Sequence, residues 1–282
     1  MVTPFKTDGS LDEVTLRKLV RRQIEQGINF LVPCGTTGEN PTLTREEHLR
    51  VVAITAEEAA GKVSVLAGAG GYNTHEVIEL AHGCQEAGAD GILSVTPYYN
   101  RPTQEGLYQH YKAIAEAVPL PIVVYSVQGR TGVNVEPATL ARLAEIENII
   151  GVKEASGNIS QIANVIHDVP EDFIVLSGDD AMIMPVISLG GQGVISVLSN
   201  QIPQAMTLLT QAAMIGDYKR ARELQRQYMP LFRVNFIETN PIPVKWGMAA
   251  MGLLEPVYRL PLVPPSEASK KQIEKVVLAT AN

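Results

Sequence analysis

The chain has 282 residues, 45% of them hydrophobic and 19% charged, with a formal net charge of -7. That length allows one large α/β domain or two ordinary ones, and the composition is that of a folded core rather than a disordered chain. The acidic balance argues against a phosphate backbone as partner, no apolar run has the length of a membrane span, and the start MVTPFKTDGSLDE lacks the regions of a signal peptide. The expectation is therefore a cytoplasmic protein with no nucleic-acid and no membrane partner. Cys34 and Cys84 stand far apart with no Cys-x-x-Cys pair, so neither a disulfide framework nor a zinc site is expected.

Short apolar runs alternate with amphipathic stretches along the chain. Residues 11–26 read as a helix, with Asp12 and Glu13 in the first turn where carboxylates suit the dipole. A strand is predicted at 29–33. A helix follows at 44–60, where Thr44 and Glu47 have the spacing of a capping box. Then come strand 63–67, helix 73–88, strand 91–95, helix 103–118, strand 122–125, helix 136–144, strand 149–152, helix 158–167 and strands 173–176 and 193–197. After Val197 the strand signals stop, and 205–215, 217–235, 243–251 and 267–281 read as helices.

Strands that are apolar throughout and separated by helices belong to a parallel sheet covered on both faces. With an eighth strand from residues 1–3, the repeats would close a (β/α)8 TIM barrel. A doubly wound sheet fits less well, because no G-x-G-x-x-G follows the first complete strand. The expected division is a barrel over 1–215 and a C-terminal helical extension over 216–282.

In a barrel, chemistry sits where the strands end. The polar residues of this sequence gather there: Gly35-Thr36-Thr37-Gly38-Glu39, Thr96-Pro97-Tyr98-Tyr99-Asn100, Tyr125 followed by Gly129-Arg130, Lys153-Glu154, and Ser177-Gly178-Asp179-Asp180. Most lysines lie on amphipathic helices or in polar loops. Lys153 instead closes the run Asn148-Ile149-Ile150-Gly151-Val152, and Lys245, in PIPVKWGM, is the other lysine in an apolar setting. Desolvation disfavours an ammonium, and a neutral amine can attack a carbonyl to form a Schiff base. The alternative is a structural lysine paired with Glu154 or an aspartate.

Tyr125, one strand away, could shuttle protons or simply fill the barrel interior. Thr36 and Thr37 could bind a small carboxylate or form an ordinary tight turn. Arg130 could grip a second carboxylate bidentately or lie on the surface. All five histidines fall on predicted helices, and the carboxylates Glu39, Asp179 and Asp180 lack the spacing of a metal loop, so no metal site is expected.

The segments VTPFKTDGSLD, GTTGENPTL, VTPYYNRPTQEGLYQHY, VVYSVQGRTGVNV, NIIGVKEASGNI, LSGDD, GGQGVISV and NPIPVKW span nearly the whole chain. Together they resemble the dihydrodipicolinate synthase / N-acetylneuraminate lyase family, and its synthase branch most closely. The resemblance implies a (β/α)8 barrel with a C-terminal helical domain, assembled as a homotetramer built as a dimer of dimers. It also implies a class I aldolase-type lyase that condenses pyruvate with L-aspartate 4-semialdehyde in lysine and diaminopimelate biosynthesis. No cofactor is implied beyond the covalent imine with pyruvate.

Carried over by position, Lys153 matches the Schiff-base lysine and Tyr125 the proton-relay tyrosine. Thr37 and Tyr99 match the partners of Tyr125, with Tyr99 reaching into a neighbouring subunit. Thr36 and Thr37 match the pyruvate carboxylate site, Arg130 the residue that binds the semialdehyde carboxylate, and Gly178 and Ile195 backbone positions lining the pocket. The family has further residues before Met1-Val2-Thr3, so the first strand is expected as a stub. It also often has Pro-Ser where this chain has Gln128-Gly129 and Asn where it has Ser126, and a glycine at 129 is expected to loosen the loop that aims Arg130. Related readings are a lyase of the same family acting on a 2-keto-3-deoxy sugar acid and a non-catalytic pyruvate-binding protein.

Overall fold

The structure, a computed structural model, describes residues 1–280. Its strands are β1 (Phe30–Leu31), β2 (Ser64–Gly68), β3 (Gly91–Val95), β4 (Ile122–Ser126), β5 (Ile149–Glu154), β6 (Ile174–Ser177) and β7 (Gly193–Val194). The helices are α1 (Glu13–Glu25), α2 (Arg45–Ala59), α3 (Thr74–Glu86), α4 (Gln104–Ala117), α5 (Gln128–Thr131), α6 (Pro137–Leu143), α7 (Ile159–Asp168), α8 (Ile183–Ser188), α9 (Pro203–Met214), α10 (Tyr218–Val234), α11 (Ile242–Ala250) and α12 (Glu267–Thr280). Every strand and long helix expected from the apolar periodicity is present within a few residues. The exception in part is the last helix, whose expected end at Ala281 lies outside the described residues. The short helices α5 and α8 were not foreseen.

The chain divides into two compact units. The first comprises Met1–Val65 and Ser196 onward. In it β1 pairs in parallel with the start of β2, Phe30 opposite Ser64 and Leu31 opposite Val65. Its core packs Val2, Leu19, Val197, Val244, Met248 and Leu254 together. Helix α2 starts as its sequence dictates: the Thr44 hydroxyl accepts from the Glu47 N–H, and the Glu47 carboxylate accepts from the Thr44 N–H. Such a cap stabilises a helix by about 1 kcal/mol.

The strand expected at residues 1–3 does not form a ladder. The Met1 amino group donates to the Val32 carbonyl, and the Val2 N–H is taken by the side chain of Asn200. A side-chain amide thus binds the backbone where a strand partner was expected. Likewise β7 is assigned to Gly193–Val194 and does not extend to Val197, and a 3-10 turn follows over Leu198–Asn200.

The second unit, Leu66–Ile195, carries most of the sheet. Its strands run parallel in the order β2-β3-β4-β5-β6-β7. They are buried almost throughout, as the unbroken apolar runs require. One irregularity matters: Ile122 pairs with Ile149 but Val123 pairs with Gly151, so Ile150 is an extra residue in β5. Beyond that bulge the register is regular, with Tyr125 opposite Lys153 and Ser126 opposite Glu154.

Candidate active site

Tyr125 and Lys153 sit at the C-terminal ends of two adjacent parallel strands, in register and so on the same face of the sheet. Both are buried, Lys153 to 9% exposure. The Lys153 amine stands 4.1 Å from the centroid of the Tyr125 ring. Strand alternation sends the next residue, Glu154, to the other face. Its carboxylate accepts from the Gln161 side chain of α7 at 2.9 Å and from the Ser156 N–H at 3.2 Å, and burial pushes its pKa up. The side of the sheet that bears α7 is thus the Glu154 side, and Lys153 faces away from it. No ion pair of Lys153 is found among the described residues, so the reading of a structural lysine paired with Glu154 is not what forms.

The ladder continues past the strand ends. The Gly178 N–H donates to the Glu154 carbonyl at 2.7 Å, and the Ile195 N–H donates to the Ser177 carbonyl at 2.9 Å. A Cβ on Gly178 would lie 2.6 Å from Ala155 Cβ and 3.2 Å from Lys153 Cε. The missing side chain at 178 is what leaves room for the lysine stem. Four of the residues singled out from sequence, Lys153, Tyr125, Gly178 and Ile195, thus belong to neighbouring strand ends.

Arg130 and Tyr99 line a cavity of about 610 Å³ in this unit, together with Tyr98, Arg101, Thr131 and Gly132. Tyr99 is 93% exposed and adopts a left-handed backbone, φ 69°, as does Arg101 at φ 44°. Between them the Asn100 amide donates to the Tyr72 carbonyl. The segment carrying Arg130 is helical where a loop was expected. It is the helical turn α5, closed by bonds from the Arg130 and Thr131 N–H groups to the Val127 carbonyl and from Gly132 N–H to Gln128. The buried Thr131 hydroxyl ties it further to Val127, Val133 and Thr96.

Thr36 and Thr37 belong to the first unit, in a 3-10 turn over Thr36–Gly38. The turn is held by residues that sequence reasoning did not link to it. The Asn240 amide donates to Thr37 Oγ1 at 2.9 Å, the Thr3 hydroxyl donates to the Gly38 carbonyl, and the Lys245 ammonium donates to the Glu39 carboxylate and to the Val257 carbonyl. Glu39 and Lys245 are both 0% exposed, and Glu39 has a left-handed backbone. Burial lowers the pKa of Lys245, against the opposing pull of Glu39. The signal for this pair was present in part: Lys245 stood out as an apolar-context lysine, and Glu39 as a carboxylate at a strand end. Of the other carboxylates, Asp179 caps the turn over Asp180–Met182. Among the described residues no group of three or more His, Cys, Asp or Glu side chains could hold a metal ion.

The model of the dihydrodipicolinate synthetase family matches residues 1–280. The chain belongs to that family. A 4-hydroxy-tetrahydrodipicolinate synthase of Chloroherpeton thalassium is 54% identical over 275 residues, 97% of this chain and 91% of that one. Dihydrodipicolinate synthase from Aquifex aeolicus superposes with a TM-score of 0.97 at 43% identity, covering 99% of this chain and 95% of the other. The chloride-inhibited enzyme of Acinetobacter baumannii, solved in complex with pyruvate, gives 0.97 at 44% identity, with 100% and 96% covered. At these identities the fold of the dihydrodipicolinate synthetase family member described here is the α/β barrel with a C-terminal helical extension. Among the described residues no helix is long and apolar enough to cross a membrane.

Proposed function

We propose that the chain condenses pyruvate with L-aspartate 4-semialdehyde to 4-hydroxy-tetrahydrodipicolinate through a Schiff base on Lys153. The observation that carries the reading is a buried lysine amine, without a carboxylate partner among the described residues, resting on the ring of a tyrosine in register on the next strand. The family membership supplies the substrates.

The Lys153 nitrogen adds its lone pair to the ketone carbon of pyruvate, and the carbonyl oxygen leaves as water, giving an iminium. The iminium acts as the electron sink, so a methyl proton is lost and an enamine forms without any external cofactor. The enamine carbon attacks the aldehyde, whose oxygen takes a proton. The amino group of the semialdehyde then displaces Lys153 and closes the ring. Tyr125 carries protons between these steps, a role supported by the ring lying beside the amine and by the family likeness.

The remaining roles rest on the family likeness: Thr36 and Thr37 for the pyruvate carboxylate, Thr37 and Tyr99 as partners of Tyr125, Arg130 for the semialdehyde carboxylate, and Gly178 and Ile195 as backbone lining. The almost complete exposure of Tyr99 supports its reaching a neighbouring subunit, in a homotetramer built as a dimer of dimers. The same reading includes a cytoplasmic location and a division into a barrel over 1–215 and a helical extension over 216–282. That division is supported by the end of the strands at Val194 and the helices that follow.

Borohydride trapping tests the proposal. Incubation with pyruvate and borohydride should add a lactyl-sized mass to the peptide bearing Lys153, and Lys153→Ala should remain folded without it. Absence of the adduct from the folded wild type would refute the Schiff-base reading. A coupled assay then compares aspartate semialdehyde with cleavage of 2-keto-3-deoxy sugar acids, and preference for the latter would reassign the second substrate.

A further inference from the structure

The polarity of the bond between Asn240 and Thr37 has a chemical consequence. A hydroxyl offers one proton and two lone pairs, whereas an amide nitrogen only donates. With Asn240 Nδ2 at 2.9 Å, Thr37 Oγ1 accepts on that side. The hydroxyl proton is then directed to an acceptor elsewhere. An ionised carboxylate such as that of pyruvate is acceptor-only and needs such a donor.

The rest of the turn is fixed as firmly as its hydroxyl. The Gly38 and Glu39 N–H groups donate to the Gly35 and Thr36 carbonyls, and the Thr3 hydroxyl holds the Gly38 carbonyl. Lys245 grips the carboxylate of Glu39, the residue that leaves the turn in the left-handed region. Asn240 itself is buried, and it lies just before α11, the helix that carries Lys245. One short stretch of chain therefore supplies both the clamp on the backbone after Thr37 and the partner of its side chain.

We infer that Asn240 is a positioning residue that fixes the Thr37 hydroxyl as a hydrogen-bond donor. The inference rests on the role in pyruvate binding and proton relay given to Thr37 above.

The test is a polarity reversal at nearly constant shape. In Asn240→Asp the side chain becomes an acceptor, and the Thr37 proton turns towards it. Loss of one hydrogen bond to a charged group predicts a roughly 10- to 100-fold fall in kcat/KM for pyruvate, with a raised KM. Protonating the introduced carboxyl restores a donor, so the deficit relative to wild type should shrink as pH falls. Because Asn240 acts through Thr37, adding Asn240→Asp to Thr37→Val should cost nothing beyond Thr37→Val alone. Wild-type kinetics in Asn240→Asp, or losses that multiply in the double variant, would overturn the inference. Wild-type kinetics in Thr37→Val would instead overturn the role of Thr37 itself. Should Asn240→Asp not fold, Asn240→Ala, which removes the donor without adding an acceptor, is scored in the same way.

Discussion

Replacing Lys245 by methionine would strand the Glu39 carboxylate in a place with no access to water. Both side chains are fully buried, and Glu39 Oε2 has no hydrogen-bond partner among the described residues, so the ammonium is the charge that balances the site. Breaking one side of a buried ion pair costs about 3–5 kcal/mol. Loss of the bond to the Val257 carbonyl, 2.7 Å in the structure, adds about 1 kcal/mol. For a chain of this size about 2 °C of melting temperature accompanies each kcal/mol, so Lys245→Met should lower Tm by roughly 8–12 °C. Glu39→Gln should cost about as much as the broken pair, because it leaves the ammonium buried alone. The double variant carries neither charge and should recover most of the loss. Differential scanning calorimetry of the four proteins reads the coupling directly. Single losses that simply add in the double variant, or a Lys245→Met loss under about 1 kcal/mol, would show that the pair is not the self-contained unit its geometry describes.

Three further outcomes follow from the same structure. Gly178→Ala must push its methyl group against Ala155 and the Lys153 stem, so borohydride trapping should slow by roughly tenfold or more while the melting temperature falls only modestly; unchanged trapping would mean the strand end yields freely. The Arg259 guanidinium holds the Glu47 carboxyl down to about 2 from an ordinary 4.5, so the stabilisation it brings is complete above 4.5 and disappears as pH falls towards 2. The Tm gap between wild type and Arg259→Met should narrow across that window, and a constant gap would refute the linkage. Burial lowers the His110 pKa from 6.5 to about 4, so the folded protein resists protonation and loses stability as pH falls between those values; His110→Gln should flatten that part of the profile.

The fold was legible where local pattern and burial agree. Strands covered on both faces have no polar alternation to blur them, so β3, β4 and β5 stood out as unbroken apolar runs. Helix α2 announced itself through Thr44 and Glu47, whose pairing is decided within four residues. Lys153 was legible for the same reason, as a charge at the end of an apolar strand. What the residues did not reveal is non-local. Asn240 and Thr37 are 203 positions apart, and Lys245 and Glu39 are 206 apart, so no periodicity connects them. The conformation of α5 also escaped, because Gln128-Gly129 reads as a flexible loop until the Thr131 hydroxyl is seen to close it.

The extra residue in β5 reaches further than a local kink. Were Ile150 paired opposite Val123 as an ordinary ladder residue, Gly151 would come level with Val124 and Val152 with Tyr125, and the aromatic ring would face an isopropyl group where it now meets an amine. The nucleophile's address is thus written in an insertion three residues upstream, in a position that never touches it. Flattening the bulge with every residue retained would set Lys153 opposite Ser126, on the other face from Tyr125, and disarm the enzyme without changing a single reacting side chain.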